Sequence, residues 1–261
     1  MGLARVGYAA LSGLVKDAIP LKRLAAAKRG SGIDASCTRP HNTLTPLAWN
    51  DDLVQLLLTE QVLARVRDAT AATDLRWISG YVSTKEPRSP PLWWHQDWWC
   101  WDHPISQQER AAQVALLLYL DNTDAANGAL RVLPGSHRRR HPVHDTLVTA
   151  QVDDVPTDHP SLASQVDELA LPARAGDAFV LDYRLLHGTY RHDGAQSREC
   201  VILNFAPHWR ELPDEIRSHL IQQPSLNGAP RRPPYPHYAG TLRDLPLSRD
   251  PRFAVTASVM S

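Results

Sequence analysis

The sequence predicts an α+β protein, a double-stranded β-helix (jelly roll) with helices gathered on its amino-terminal side. Two observations carry this. Helical periodicity is confined to the residues before about 75, and from Leu75 onward the chain breaks into short strand-like runs separated by turn residues. No segment repeats at a fixed period, and 261 residues with 43% hydrophobic content suffice for one substantial core, so a single domain over 1–261 is expected.

Within it, 1–74 reads as mainly helical cover, 75–207 as jelly-roll core and 208–261 as irregular tail. The first apolar-periodic stretch runs from about Leu3 to Ala27, broken by Pro20, and the second from about Asp51 to Thr70. Asn50 suits the cap of the second, Asp51 and Asp52 suit its positive end, and Leu53, Leu56, Leu57, Glu60, Leu63 and Ala64 form a mostly apolar stripe. Strand-like runs follow at Leu75–Val82, Leu92–Trp101, Ala112–Leu120, Ala129–Leu133, Ala178–Leu181 and Glu199–Phe205, with turns at Pro87–Pro91, Asp121–Gly128 and Pro134-Gly135. Many short strands with helices at one end match a double-sheet, cupin-like core. The stretch 138–175, basic at Arg138–Arg140 and acidic from Asp153 to Glu168, is long for a loop and is expected to be a lid. After Pro224, the prolines and Tyr235 and Tyr238 predict irregular chain lying over the core.

Lys plus Arg (28) cancels Asp plus Glu (28), so no global field recruits nucleic acid or an anionic membrane, and a small molecule is the expected partner. Cys37, Cys100 and Cys200 are too few and too scattered for a disulfide framework or a thiolate zinc site. The basic residues Arg5, Lys16, Lys22, Arg23, Lys28 and Arg29 stand against Asp17 alone and read as a solvated helix face rather than a transit peptide. No apolar run reaches the ~18 residues of a membrane span, and Val6 breaks a myristoylation pattern. A soluble protein of the reducing cytoplasm is expected.

The chemistry concentrates in Trp93-Trp94-His95-Gln96-Asp97-Trp98-Trp99-Cys100-Trp101. On an extended strand His95 and Asp97 share a face and Gln96 points away. An imidazole and a carboxylate buried among tryptophans must be paired or metal-bound; the blander alternative is hydrogen bonding to other core groups. With one distant histidine they would make the 2-His-1-carboxylate triad that holds non-haem Fe(II) and leaves three positions open. His187 suits the third position, because it follows the buried-strand pattern Gly176–Leu181 and precedes Gly188, which permits close backbone approach. His137, in the turn Pro134–His137, competes with it. Arg198 lies eleven positions beyond His187 at the head of a strand. Its planar guanidinium could grip the far carboxylate of a dicarboxylate chelating the iron, or could simply form a surface salt bridge. Strand alternation sets Trp93, Trp99 and Trp101 on the ligand face and Trp94 and Trp98 on the packing side.

The run Ser83–Cys100, with Lys85, Pro87 and Pro90-Pro91 before Trp94-His95-Gln96-Asp97, resembles the iron-binding strand of the phytanoyl-CoA dioxygenase-like family of Fe(II)/2-oxoglutarate oxygenases. Asn127–His137 is similar to that family's hairpin, and His187-Gly188-Thr189 with Arg198 to its carboxy-terminal signature; together the likeness covers roughly Leu75 to Pro207. The resemblance implies that His95, Asp97 and His187 bind iron, that Arg198 holds the distal carboxylate of 2-oxoglutarate with Thr189 beside it, and that Trp101 lines the co-substrate pocket. Trp93 and Trp99 are candidate pocket walls. The implied cofactors are Fe(II), 2-oxoglutarate and O2. The implied reaction is oxidation, most simply hydroxylation, of a small-molecule C–H bond of the kind met in natural-product biosynthesis. Epimerisation, desaturation or ring formation with the same cofactors are alternatives, as is a cupin-like metal protein without redox activity. Asp97 argues against halogenation, since related halogenases lack the carboxylate to make room for chloride.

Overall fold

In the computed structural model, residues 2–29, 38–39, 42–101, 103–147, 156 and 158–221 are described. Two antiparallel sheets carry the fold. The larger has the order β1-β9-β6-β11-β4-β3-β2, where β1 is Tyr8–Leu11, β2 Thr38–Arg39, β3 Asn42–Leu47, β4 Arg76–Lys85, β6 Val114–Tyr119, β9 Ala178–Asp182 and β11 Arg198–Ala206. The smaller has the order β5-β10-β7-β8, with β5 Leu92–His95, β7 Leu130–Val132, β8 Leu169–Leu171 and β10 His187–Thr189. Helices α1 (Leu3–Val6), α2 (Ile19–Arg29), α3 (Asp52–Leu57), α4 (Glu60–Thr70) and α5 (Asp214–Ile221) complete the elements used below. Among the described residues no helix is long and apolar enough to cross a membrane.

The period-2 pattern of the long strands explains why both faces of the large sheet are covered. On β11, Val201, Leu203 and Phe205 point outward and join Leu116, Leu118 and Val180 in one core cluster with Leu53, Val54, Leu57, Val62, Leu63 and Val66 of α3 and α4. The alternate residues face the small sheet, where Ala115, Leu117, Tyr119, Phe179 and Leu181 meet Leu130, Val132 and Leu171. The interior between the sheets therefore begins as packed apolar core and opens into a cavity.

Several elements differ from the sequence expectation. The stretch Leu3–Ala27 is not one broken helix: β1 inside it pairs with β9, and Pro20 lies in the first turn of α2, where its missing N–H costs nothing. Three strands thus fall within the residues read as helical cover. Asp51–Thr70 is two helices, because Thr59 starts α4 by accepting a hydrogen bond from Val62 N (3.3 Å). Asp51 rather than Asn50 holds the cap position of α3, and Leu56 of the proposed stripe is 49% exposed. β3 carries Pro46 yet pairs with β4, a placement tolerated because, among the described residues, β2 pairs on its other edge with Asn42 and Thr43 and not with Pro46. The Leu92–Trp101 strand stops at His95. The tail from residue 208 begins with a 3-10 turn, Trp209–Glu211, and α5, whose Ile216 and Leu220 pack on Trp98 and Ile78; the proline-rich stretch after Pro224 lies outside the described residues.

The segment 138–175 is not a lid where it is described. Its Leu162 and Ala163 cross the outer face of the small sheet, where two buried outward groups need partners: Arg131 Nη2 donates to the carbonyls of Leu92 and Leu162 (3.2 Å each), and Trp94 Nε1 donates to Ala163 O (2.9 Å), while Leu169–Leu171 is that sheet's own strand β8. No described residue of this segment lines the cavity.

Candidate metal centre

β5 and β10 lie side by side in antiparallel register with His187 opposite His95. Gly188 makes this approach possible, since a Cβ there would stand 2.7 Å from Leu92 O and 3.0 Å from Trp93 O. The two imidazole centroids are consequently 4.1 Å apart.

Each ring is oriented by its own strand. His95 Nδ1–H donates to Trp93 O (3.0 Å) and His187 Nδ1–H to Leu185 O (3.0 Å). A carbonyl only accepts, so both rings carry the proton on Nδ1 and turn the basic Nε2 inward. Asp97 arrives differently. The backbone leaves the strand after His95, and Asp97 N and Trp98 N both donate to Tyr183 O (3.0 and 2.9 Å). Tyr183 in turn sits in the Asp182–Leu186 connection, which is clamped by a buried bidentate pair: Arg184 Nε and Nη2 reach Asp182 Oδ1 and Oδ2 (3.0 and 2.7 Å), and Arg184 Nη1 donates to Ser106 O and Gln108 O (2.9 and 2.7 Å). The result sets Asp97 Oδ1 3.9 Å from His95 Nε2 and Asp97 Oδ2 3.5 Å from His187 Nε2. One donor atom from each of the three residues lies within 4.8 Å of the others, a spacing and chemistry that could hold a divalent transition metal.

The trio lines a cavity of about 190 Å³ between the sheets. Arg198 enters it from β11 and is 5% exposed, with one Nη2 hydrogen bond to Gly128 O (3.0 Å) and its guanidinium 5.2 Å from the centre of the Tyr119 ring. Arg198 Nε and Thr189 Oγ1 are buried and find no hydrogen-bond partner among the described residues. Buried donors left so are rare, and a carboxylate is the group that would satisfy both. Lys85 stands directly across from Arg198 on β4 and donates to Pro90 O (2.8 Å); burial, reinforced by Arg198 and Arg131, lowers its ammonium to about 7. Gly128 fits against both cations, since a Cβ there would meet Lys85 Cδ at 2.7 Å. Cys200 also lines the cavity, but burial pushes its thiol up to about 12, which removes it as a nucleophile.

Of the remaining sequence candidates, Trp99 lines the cavity; Trp93 does not, although it lies two residues before His95 on the same regular strand, and Trp101 is 40% exposed outside it, because the regular alternation ends at His95. Trp94 and Trp98 are buried in packing clusters away from the metal trio. His137 is buried elsewhere and donates from Nε2 to Ala4 O (3.1 Å), anchoring the amino terminus. Sequence reasoning passed over Asn204, Gln113 and Tyr183. Asn204 carried a signal, a polar residue in phase with Arg198 within an apolar strand.

Two facing antiparallel sheets with a His-Asp-His cluster between them define a jelly-roll protein of the 2-His-1-carboxylate class. Within that class the chain belongs to the phytanoyl-CoA dioxygenase family: the model of the family described as Phytanoyl-CoA dioxygenase (PhyH) matches residues 7–200. The chain is 24% identical over 168 residues to a probable alpha-ketoglutarate-dependent hypophosphite dioxygenase of Stutzerimonas stutzeri, covering 62% of this chain and 55% of that one. Its fold is shared with EctD from S. alaskensis bound to 2-oxoglutarate and 5-hydroxyectoine (TM-score 0.61, 17% identity, 98% of this chain and 84% of that). It is shared too with the epimerase SnoN in complex with Fe3+, alpha ketoglutarate and nogalamycin RO (TM-score 0.60, 17% identity, 90% and 92%). The chain spans about half the length of curated relatives it matches.

Proposed function

We propose that the protein is a non-haem Fe(II)/2-oxoglutarate-dependent dioxygenase that hydroxylates an unactivated C–H bond of a small molecule. The observation that carries this reading is the pairing of the His95-Asp97-His187 cluster with two orphaned buried donors, Arg198 Nε and Thr189 Oγ1, in one cavity. A metal protein without a dicarboxylate co-substrate would have no use for that second feature. Iron with 2-oxoglutarate and O2 supplies an oxidant able to remove hydrogen from a C–H bond, with succinate and carbon dioxide as by-products.

The chain's own part is positioning. His95 and His187 present Nε2, held by Trp93 O and Leu185 O, and Asp97 adds the negative charge that completes the donor set. Arg198, with Thr189 beside it, would orient the co-substrate's distal carboxylate. The apolar walls Leu44, Leu92, Leu117, Leu130 and Ile202 limit water around the reacting atoms. Epimerisation is the second reading, favoured by the likeness to SnoN, and it needs the same residues. Anaerobically reconstituted protein, given 2-oxoglutarate, O2 and a small-molecule library, should form succinate together with a product heavier by one oxygen. A product of unchanged mass and inverted configuration would select the epimerase reading, and no succinate under any condition would sink both.

A further inference from the structure

The cavity has two chemically different ends, and strand register orders them. At one end β11, β4 and β3 align Arg198, Lys85 and Asn42 side by side, with Thr189 on the facing sheet. Six residues along β11, the row becomes Ala115, Asn204 and Ser79. Gln113 lies just before that row, and its backbone O accepts from Tyr183 N (3.2 Å), the residue that also tethers Asp97. The metal trio stands between the ends, with Thr189 toward the cationic row and Asp97 toward the amide row.

Apart from the metal ligands, Lys85 and Arg198 are the charged side chains among the described lining residues, and both belong to the first end. The second end offers Ser79, Trp99, Gln113, Tyr183 and Asn204, all uncharged. Trp99 is held rigidly there: buried His219 of α5 stacks on its ring at 3.8 Å between centroids and 26° between planes, and its Nε1 donates to Gln113 Oε1 (3.3 Å). Asn204 is 4% exposed and donates from Nδ2 to Ser79 Oγ (2.7 Å), while its Oδ1 is buried with no partner among the described residues. An orphaned carboxamide oxygen at the wall of a cavity asks for a ligand donor. A hydroxyl both donates and accepts, so it satisfies the Asn204 carboxamide in either of its orientations. An anion would find no cation at this end, and a cation would find no carboxylate beyond the metal-ligating one; burying either charge unpaired is costly.

Resting on the dioxygenase reading above, we propose that the end beyond Asp97 receives a neutral, hydroxyl-bearing small molecule, with Asn204 as its hydrogen-bonding determinant and Trp99 as the apolar wall. Anionic substrates are excluded by the same arrangement that places Lys85 and Arg198 at the co-substrate end.

The test uses the full chain with zinc in place of iron and 2-oxoglutarate present, so that nothing turns over, and reads binding by saturation-transfer NMR. Four probes share one ring frame: methyl glucoside (neutral, hydroxylated), glucuronate (anionic), glucosamine (cationic) and tetrahydropyran (neutral, without hydroxyls). Methyl glucoside is expected to bind and the other three not. Asn204→Leu should weaken methyl glucoside about ten-fold, the worth of one hydrogen bond, while 2-oxoglutarate still binds. Asn204→Asp, nearly isosteric, should move the preference to glucosamine. Binding of glucuronate, glucosamine or tetrahydropyran by the wild type in preference to methyl glucoside, no binding by any probe, or wild-type binding by Asn204→Leu would each overturn the assignment. Binding of methyl glucoside by a protein that ignores 2-oxoglutarate would instead sink the dioxygenase reading and leave this end's assignment standing.

Discussion

Replacing Arg198 by alanine separates the co-substrate grip from the metal site. Arg198 is almost wholly buried, and one of its donors serves Gly128 O while Nε has no partner among the described residues, so the guanidinium still has N–H to offer a carboxylate. Two charge-assisted hydrogen bonds to a carboxylate contribute about 1.5–3 kcal/mol each, together about 3–6 kcal/mol. That corresponds to a loss of about 10²- to 10⁴-fold in 2-oxoglutarate affinity. The variant also leaves Gly128 O without its donor, which costs roughly 1–3 kcal/mol of stability. Iron binding is set by the ligand trio and should change little. Anaerobic calorimetric titration of metal and then of 2-oxoglutarate reads the two affinities separately. Equal losses in both would mean that Arg198 acts through the fold, and an unchanged 2-oxoglutarate affinity would place the distal carboxylate somewhere else; either result refutes the reasoning.

Lys85 predicts a pH signature. Its folded value of about 7 lies below its ordinary 10.5, so the unfolded chain binds the extra proton between those values and the ligand-free protein should gain stability as pH rises from about 7 toward 10. A dianion arriving beside Lys85 restores the ammonium, so 2-oxoglutarate binding should take up close to one proton at about pH 8 and almost none at about pH 6; calorimetry in two buffers measures this, and undiminished uptake by Lys85→Met would assign the proton to another group. Arg184→Met strands Asp182, 4% exposed, and should cost about 3–5 kcal/mol in urea unfolding together with weaker metal binding, because the connection that tethers Asp97 loosens. Wild-type stability in that variant would show that the clamp holds nothing.

The local half of the site was legible and the long-range half less so. His95 and Asp97 announce themselves as polar residues set among tryptophans, although the structure leaves the Asp97 side chain 37% exposed; their shared direction arises from the Tyr183 tether rather than from strand alternation, which stops at His95. That is also why Trp101 fell outside the cavity although alternation assigned it inward. His187 reads as a strand-end histidine, but only its register opposite His95 shows that the two rings meet. β1 escaped because four residues between helical stretches carry no strand signal of their own; pairing with β9, far along the chain, decides their conformation. The 138–175 segment looked like a lid because length alone cannot reveal that Arg131 and Trp94 bind its backbone to the outside of the small sheet. Asn204 needed nothing long-range, since it follows Arg198 in period two along β11.

The most direct test of the Fe(II)/2-oxoglutarate assignment is an anaerobic spectrophotometric titration, adding Fe(II) and then 2-oxoglutarate to the wild-type protein and to Asp97→Ala. A visible metal-to-ligand charge-transfer band should grow to one equivalent of each in the wild type and be lost or strongly weakened in the variant. Tight Fe(II) binding with no band on addition of 2-oxoglutarate would contradict the assignment.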